Sequence, residues 1–400
     1  MINKPYILLV HQHFSPPNGF GNNRSLELAQ YWQSLGYQVK VISGAGNFQK
    51  KKDHSIQLEG IDVEVIGVDY NHYMGFVKRM YAFIAFAFKV IIRLSRYKDA
   101  DLIYTVSTPL TIGWIGLRFK SVYQKRFYFE IGDLWPDVPI QMGVLSNPVL
   151  KFLALQLEKK IYDSADHIVC LSPGIQEHLL HYKGLPAEKV VVSFNGTNTE
   201  LFVPIENKKN IRTNLNIQED AFVIIYAGTI GKANGLEAML RLALDCKEDE
   251  RIQFYIIGEG NDVAHIEAYI KKYTLSNVHR LAGVSKSEII PWLQAADLGF
   301  VSYAPYSLLS TNSANKWYDY LACGLPVIVN HSGWQGEWMK KYHCGLGSSD
   351  LREQKNYVYK LKNSIDEHQQ QSKNARQMAV DHFDRHHLAS ALDSLFLGCC

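Results

Sequence analysis

Uninterrupted apolar runs alternate with segments of helical period along most of the chain, and this alternation restricts the fold more than any other feature. In the first half the runs are YILLV (6–10), VKVIS (39–43), VEVIGV (63–68), LIYTVS (102–107), FYFEI (127–131), HIVCLS (167–172) and VVVSF (190–194). Between them, SLELAQYWQSLG and VLKFLALQLEKKIYDSA repeat apolar residues at i, i+3 and i+4. The second half repeats the scheme with FVIIYAG (222–228), FYIIGEG (254–260), VHRLAG (278–283), LGFVSY (298–303) and PVIVN (326–330). A strand that is apolar at every residue must be covered on both faces, so the pattern predicts α/β architecture with parallel sheets wrapped by helices. Four hundred residues exceed one ordinary core. The polar stretch PIENKKNIRTN (204–214) therefore reads as the break between two doubly wound, Rossmann-like units, 1–203 and the residues from 204 onward. Ligands of such sheets bind beyond the carboxyl ends of the strands, and with two sheets the cleft between them is the expected site.

Charge and cysteine usage narrow the function classes. The formal net charge is +3, which gives no reason to expect a nucleic-acid partner. Its distribution is uneven: residues 76–126 hold ten Lys/Arg against two acids, Asp99 and Asp101. The six cysteines have no metal-type spacing, and a reduced, cytoplasmic setting fits them. MINKPYILLV reads as running directly into the first strand, without a signal peptide. The most apolar segment, MYAFIAFAF (80–88), is far short of the roughly 20 residues that span a bilayer.

Chemistry-bearing residues collect in the loops after the strands. In HQHFSPPNGFGNNRSLELA, Gly19 and Gly21 allow close backbone approach to a ligand before a helix whose free N–H groups favour an anion. A dinucleotide fingerprint is excluded, because Arg24 stands at its third glycine and no acid follows the second strand. His11 and His13 lack the carboxylate or cysteine that a metal pair needs, and no metal site is expected. FYFEIGDLWPDVP places Asp133, Trp135 and Asp137 just past a strand end. For Asp133 and Trp135 the structural alternative is a capped turn and a packed corner. YAGTIGKANGLEAML is strand, glycine-rich turn and helix, with Gly228 in the turn and Lys232 as a point charge for phosphate. IIGEG adds a tight turn at Gly258. In STNSANKWYDYLACGLPVIVN, Asn312 or Ser313 is a natural N-cap, and Lys316, Asp319 and Cys323 share a helical face. Phosphate at the helix mouth and vicinal hydroxyls on Asp319 are one reading. A capped helix with an internal Lys–Asp pair is the other.

In this order and spacing, several stretches resemble the retaining glycosyltransferases of family 4, with the two-domain GT-B fold. They are HFSPPNGFGNNRSLELAQYWQSLGYQVKVIS, GDLWPD, VSFNGTNTELFVP, YAGTIGKANGLE, IIGEG, LAGVSKSEIIPWLQAADLGFVS and NKWYDYLACGLPVIV. The chain is similar in particular to the L-fucosamine-transferase-like enzymes of bacterial surface-polysaccharide synthesis. The resemblance implies transfer from a nucleotide-sugar, usually UDP-linked, with retention and generally without a metal. The C-terminal domain, 204–375, would hold the nucleotide and the N-terminal one, 1–203, the acceptor. A final helix, 376–400, would cross back onto the N-terminal domain. It places Gly19 and Gly21 against the donor diphosphate, Asp319 on the ribose, the N–H groups of Ala314 and Asn315 on the distal phosphate, and Val284 beside the base. Gly228 and Gly258 join the donor side, Trp135 and Asp137 the acceptor side, and Asp133, Lys232 and Lys316 the catalytic group.

Three departures from the family pattern stand out. Thr311 occupies the position of the first of two acids, and Asp319 is a shortened second. Thr229 and Asn234 replace the usual basic pair, leaving Lys232 and Lys316 as the cations. Gly132 stands where a His often precedes the loop aspartate. A glycan or polyprenyl-linked acceptor would bring the enzyme to the anionic inner surface of the bacterial membrane. The segment FVKRMYAFIAFAFKVIIRLSRYK is read as a helix suited to that surface, with Phe76, Met80, Phe83, Ala87, Val90 and Leu94 as its apolar stripe and Lys89, Arg93 and Arg96 on another face. The alternative there is a helix packed on the sheet with a solvated basic face. A nucleotide-sugar epimerase of GT-B type, or a non-catalytic nucleotide-sugar-binding partner, are the competing functional readings.

Overall fold

A computed structural model of the chain describes residues 4–17, 23–48, 50–71 and 74–397. It divides into two compact units, residues 1–194 with 388–400, and residues 195–387. The division falls just ahead of the polar stretch 204–214.

Among the described residues, unit 1 is built on an eight-stranded sheet. Its strands are β1 (Tyr6–His11), β2 (Gln38–Gly44), β3 (His54–Leu58), β4 (Ile61–Ile66), β5 (Leu102–Val106), β6 (Arg126–Ile131), β7 (His167–Cys170) and β8 (Val190–Val192). The order is β3-β4-β2-β1-β5-β6-β7-β8, parallel except for the β3–β4 pair. Edge strand β3 was not expected, because HSIQL is solvated over most of its length and has no apolar run to mark it. The central strands behave as read: Ile7, Leu8, Leu9 and Val10 are fully buried, as are Leu102, Ile103 and Tyr104. Each such aliphatic side chain stabilises the unit by roughly 1.5–3 kcal/mol on full burial. The helix Arg385–Leu397 carries the chain back into unit 1, where Phe396 packs edge-on against Trp32 and Tyr128. Arg126 donates to the carbonyl of Phe396, and Lys4 pairs with Asp393.

Unit 2 has a six-stranded sheet among the described residues: β9 (Phe222–Ala227), β10 (Ile252–Ile257), β11 (Val278–Leu281), β12 (Leu298–Val301), β13 (Val327–Val329) and β14 (Gly345–Gly347). The order is β11-β10-β9-β12-β13-β14 and every pair is parallel. Strand β14, sequence GLG, is too short and too rich in glycine to announce itself. Because all six strands run one way, every loop that follows a strand opens at the same edge of the sheet.

The basic, apolar segment forms the helix Phe76–Ile91, and here the sequence reading needs correction. Phe83, Ala87, Val90 and Leu94, assigned to a lipid-facing stripe, are buried in unit 1. Arg93 pairs with Asp53 and approaches Glu64, Lys89 lies 3.9 Å from Asp53, and Arg96 approaches Glu64. Those faces serve the core and its rim. Four buried cysteines among the described residues, Cys170, Cys246, Cys323 and Cys344, are free thiols. No helix of the described chain is long and apolar enough to cross a membrane.

Candidate functional site

The carboxyl edge of unit 2 is assembled from glycine turns in mutual contact. A Cβ on Gly258 would lie 1.8 Å from the carbonyl oxygen of Gly228, and one on Gly260 would lie 2.1 Å from that of Ile230. Only glycine lets the turns after β9 and β10 meet this closely. The turns are stitched by Ile230 N–H to Glu259 O (2.8 Å) and Gly228 N–H to Ile257 O (2.9 Å). Gly235, at φ +53°, lies against Ala304, whose N–H donates to Ala233 O. Arg280 clamps the next turn through Glu259 at 3.0 Å, and Gly283, beside Val284, donates to the same carboxylate. Gly228, Gly258 and Val284 thus come together at one edge.

Into this edge points the helix Asn315–Ala322, which follows β12. Its N-cap is Ala314, and no side chain caps it, contrary to the expectation for Asn312 or Ser313. The Ser313 hydroxyl is instead 2.6 Å from that of Tyr318, and its carbonyl accepts from Asn195. The helix mouth therefore keeps its positive potential without a side-chain oxygen on it. Lys316, in the first turn, lays its ammonium over the Tyr226 ring (4.6 Å to the centroid) and donates to the Tyr226 oxygen at 3.3 Å. Tyr226 in turn donates to Thr229 O at 2.6 Å. The lysine chain runs along Gly228, where a Cβ would come within 2.9 Å of its Cε. Burial lowers the Lys316 pKa to about 8. Among the described residues no carboxylate forms an ion pair with it. Tyr226, the residue that fixes this lysine, was hidden inside the apolar run FVIIYAG; a polar tip one residue from a strand's end was the available signal.

Asp319 does not share the lysine's environment. Its carboxylate accepts from Thr197 at 2.6 Å, and Thr197 is held by backbone bonds from its N–H to Phe383 O and from Arg385 N–H to its carbonyl. Cys323, on the supposed common face, is buried. No ion pair links Lys316 with Asp319. Thr311 donates to the carbonyl of Leu308 within the 3-10 turn Ser307–Thr311. Lys232 is exposed and has no ion-pair partner among the described residues.

In unit 1, Asp133 lies at the carboxyl end of β6 and accepts from Thr108 at 3.4 Å, with Trp135 N–H on its carbonyl. Trp135 is partly buried. Asp137, expected on the acceptor side, is engaged structurally: it accepts from His178 at 2.9 Å and pairs with Lys183 at 2.6 Å, which also holds Glu158. Burial pushes the Asp137 carboxyl up, but hydrogen bonds from His178 and Lys183 outweigh it and hold it below the ordinary value. Beneath the loop a buried network links Arg24 to Glu130 (3.1 Å), Ser193 and the Phe194 carbonyl, with Tyr104 on the same carboxylate. These partners were not legible as a set, since they come from four distant segments. Gly19 and Gly21 lie outside the described residues. Among the described residues no three metal-ligating side chains converge.

Two parallel-sheet units, one of them with glycine turns, an uncapped helix mouth and a half-buried ammonium at its carboxyl edge, define the α/β class of the protein. The comparisons give the class a name. Residues 21–201 match Glycosyltransferase Family 4, and residues 207–378 match Glycosyl transferases group 1. The chain belongs to the glycosyltransferases of this family 4 type, with GT-B fold. A putative colanic acid biosynthesis glycosyl transferase of Escherichia coli is 27% identical over 202 residues, 49% of either chain. An alpha-monoglucosyldiacylglycerol synthase of Streptococcus pneumoniae is 22% identical over 280 residues, 67% of this chain and 60% of that one. The chain spans about half the length of the curated relatives it matches. Among solved structures, the Anabaena protein Alr3699/HepE in complex with UDP and glucose superimposes with TM-score 0.75 at 17% identity, covering 99% of this chain and 100% of that one.

Proposed function

We propose that the protein transfers a sugar from a UDP-sugar, with retention, to a glycan or polyprenyl-linked acceptor in bacterial surface-polysaccharide synthesis. The observation that carries this reading is the Lys316 ammonium, held on Tyr226 beside the Gly228 turn without a carboxylate partner among the described residues. A part-buried cation over a flat glycine floor and beside a helix N-terminus is suited to a diphosphate. Structural relatives bound to UDP and glucose, and a relative named for colanic acid synthesis, support the choice of donor and pathway. The reading extends to the fucosamine-transferase-like subgroup and to an N-acetylated hexose or deoxyhexose as the transferred group, on the sequence resemblance alone.

In the reaction, the bond from the sugar's anomeric carbon to the phosphate oxygen breaks, and its electron pair leaves on UDP. The acceptor hydroxyl attacks on the same face, forming the new glycosidic bond, and its proton passes to the departing phosphate oxygen. Lys316 and the N–H groups of Ala314 and Asn315 stabilise the charge that grows on the diphosphate, which is where such preorganised donors act most strongly. These groups do the neutralising that a metal would otherwise supply. Lys232, exposed and without an ion-pair partner among the described residues, adds a second cation. Asp319 serves the ribose while keeping Thr197, since a carboxylate has about four lone-pair sites. Asp133 and Trp135 face the acceptor. The protein would work peripherally on the cytoplasmic face of the inner membrane.

Incubation with a panel of UDP-sugars, with and without a polyprenyl diphosphate-linked acceptor, tests the proposal. Acceptor-dependent UDP release is expected. Isomerised donor without acceptor would replace transfer by epimerisation, and binding without turnover would leave only a nucleotide-sugar-binding partner.

A further inference from the structure

The helix Phe76–Ile91 is apolar on two sides, and only one side faces the core. Ala82, Phe83, Phe86, Ala87 and Val90 are buried, whereas Val77, Tyr81, Ile84 and Phe88 form an outward row at i, i+4, i+7 and i+11, continued by Ile92. Val77 and Tyr81 are 78% and 74% exposed. A second apolar ridge sits at the start of the helix Pro148–Ser164. There Val149, Leu150, Phe152, Leu153 and Leu155 all project into solvent, Phe152 at 61%, with Val144 on the approach to them. Soluble surfaces seldom gather so many large apolar side chains without a partner.

The two ridges lie on one face of unit 1. The connections β4 to β5, β5 to β6 and β6 to β7 all step in the same direction across the sheet. Right-handed crossovers therefore put their helices on the same side. The helix Ile112–Tyr123 lies between the other two, in contact with both, and exposes Trp114.

Charge decides what covers this face. Residues 70–98, 112–123 and 142–157 contain no aspartate or glutamate. Lys78, Arg79, Arg118, Lys151 and Lys160 stand on these helices without ion-pair partners among the described residues. A second copy of the chain would bring two cationic rims together, which like-charge repulsion opposes. An anionic bilayer offers both a hydrocarbon layer for the ridges and phosphates for the rim.

We propose that unit 1 docks on anionic lipid through two apolar ridges, one along Val77–Phe88 and the other at Val149–Leu155, with the unpaired lysines and arginines on the headgroups. This deepens the proposed peripheral location but needs neither donor nor acceptor. In the chain, only the short helix Asp137–Gln141 and a turn separate the second ridge from the loop that carries Asp133 and Trp135, the segment assigned to the acceptor.

Co-sedimentation of the full chain with phosphatidylglycerol vesicles and with phosphatidylcholine vesicles tests the proposal. Binding to phosphatidylglycerol at low salt is expected, weakened by added salt and at least tenfold stronger than to phosphatidylcholine. The double variants Tyr81→Asp/Phe88→Asp and Phe152→Asp/Leu153→Asp should each lose at least tenfold, and Lys151→Glu/Lys160→Glu should lose the preference for the anionic lipid. Unchanged thermal unfolding and unchanged UDP binding in these variants would separate loss of docking from loss of fold or of donor recognition. A wild-type chain that ignores phosphatidylglycerol, or Phe152→Asp/Leu153→Asp binding as tightly as wild type, would overturn the proposal. So would a wild-type dimer that the apolar variants dissociate while vesicle binding stays the same.

Discussion

The carboxyl edges of the two sheets have the same topology but opposite electrostatics. In unit 1 two charges at and beneath the edge are paired, Arg24 with Glu130 and Asp137 with His178 and Lys183, while Asp133 accepts from Thr108. In unit 2 one charge at the edge, Lys316, has no carboxylate partner among the described residues and rests on the ring and hydroxyl of Tyr226. Paired charges in the first edge fix loop geometry, which suits a neutral, polyhydroxyl acceptor. The second edge holds a half-buried cation that no carboxylate of the described residues pairs, which suits the proposed anionic donor. One fold used twice thus carries two different charge environments, and the difference lies in a few side chains.

The largest effect that separates the two edges is expected at Arg24. Arg24→Met leaves Glu130 buried without its partner, and unfolding by denaturant should show a loss of about 3–5 kcal/mol, the cost of breaking a buried pair. UDP affinity of the folded fraction should not change; if it falls with stability, the edges are not independent. Next comes Lys316→Met, with kcat/KM expected to fall about 100-fold, within the range for loss of one preorganised charge-stabilising group. Its stability should hold or rise, because a buried ammonium is removed. Steady-state kinetics and a melting curve on the same preparation check both halves.

Much of the fold and part of this contrast were legible in the sequence. Apolar runs gave the parallel strands because burial on both faces leaves no polar position, and glycine at 228 and 258 marked the turns. What was not legible depends on partners brought together from afar. Asp137 read as an acceptor-side acid because nothing in GDLWPD points to His178 or Lys183. The stripe Phe83, Ala87, Val90 and Leu94 read as lipid-facing because periodicity tells that a helix has an apolar face, not which of two apolar faces the sheet will take. The helix mouth read as capped because Ser313 has the right chemistry, but the cap position falls one residue later, on Ala314, and the Ser313 hydroxyl turns to Tyr318.

A smaller expected effect concerns Asp319, which accepts from Thr197 and is proposed to bind the ribose. Thr197→Val removes one hydrogen bond to the carboxylate, worth about 1 kcal/mol. Donor KM should rise a few-fold with kcat little changed, as measured over a range of UDP-sugar concentrations. An effect confined to kcat would place Asp319 in the chemistry instead. The smallest is a pH dependence. With the Lys316 pKa lowered to about 8, kcat/KM should decline above pH 8 as the ammonium is lost. Stability should move the other way between about pH 8 and 10.4, since there the unfolded chain, with an ordinary lysine, binds more protons than the folded one. Bound diphosphate favours the charged form, so the break in kcat should lie above that in kcat/KM. Lys316→Met should abolish the break.

The central claim is that the carboxyl edge of unit 2 receives the diphosphate of a nucleotide-sugar through Lys316. Calorimetric titration of the wild type and Lys316→Met with UDP and with uridine at pH 7 tests it most directly. UDP affinity should drop about 100-fold in the variant, roughly 2.7 kcal/mol, while uridine binds both proteins alike. Equal UDP affinity in the two proteins would contradict the claim.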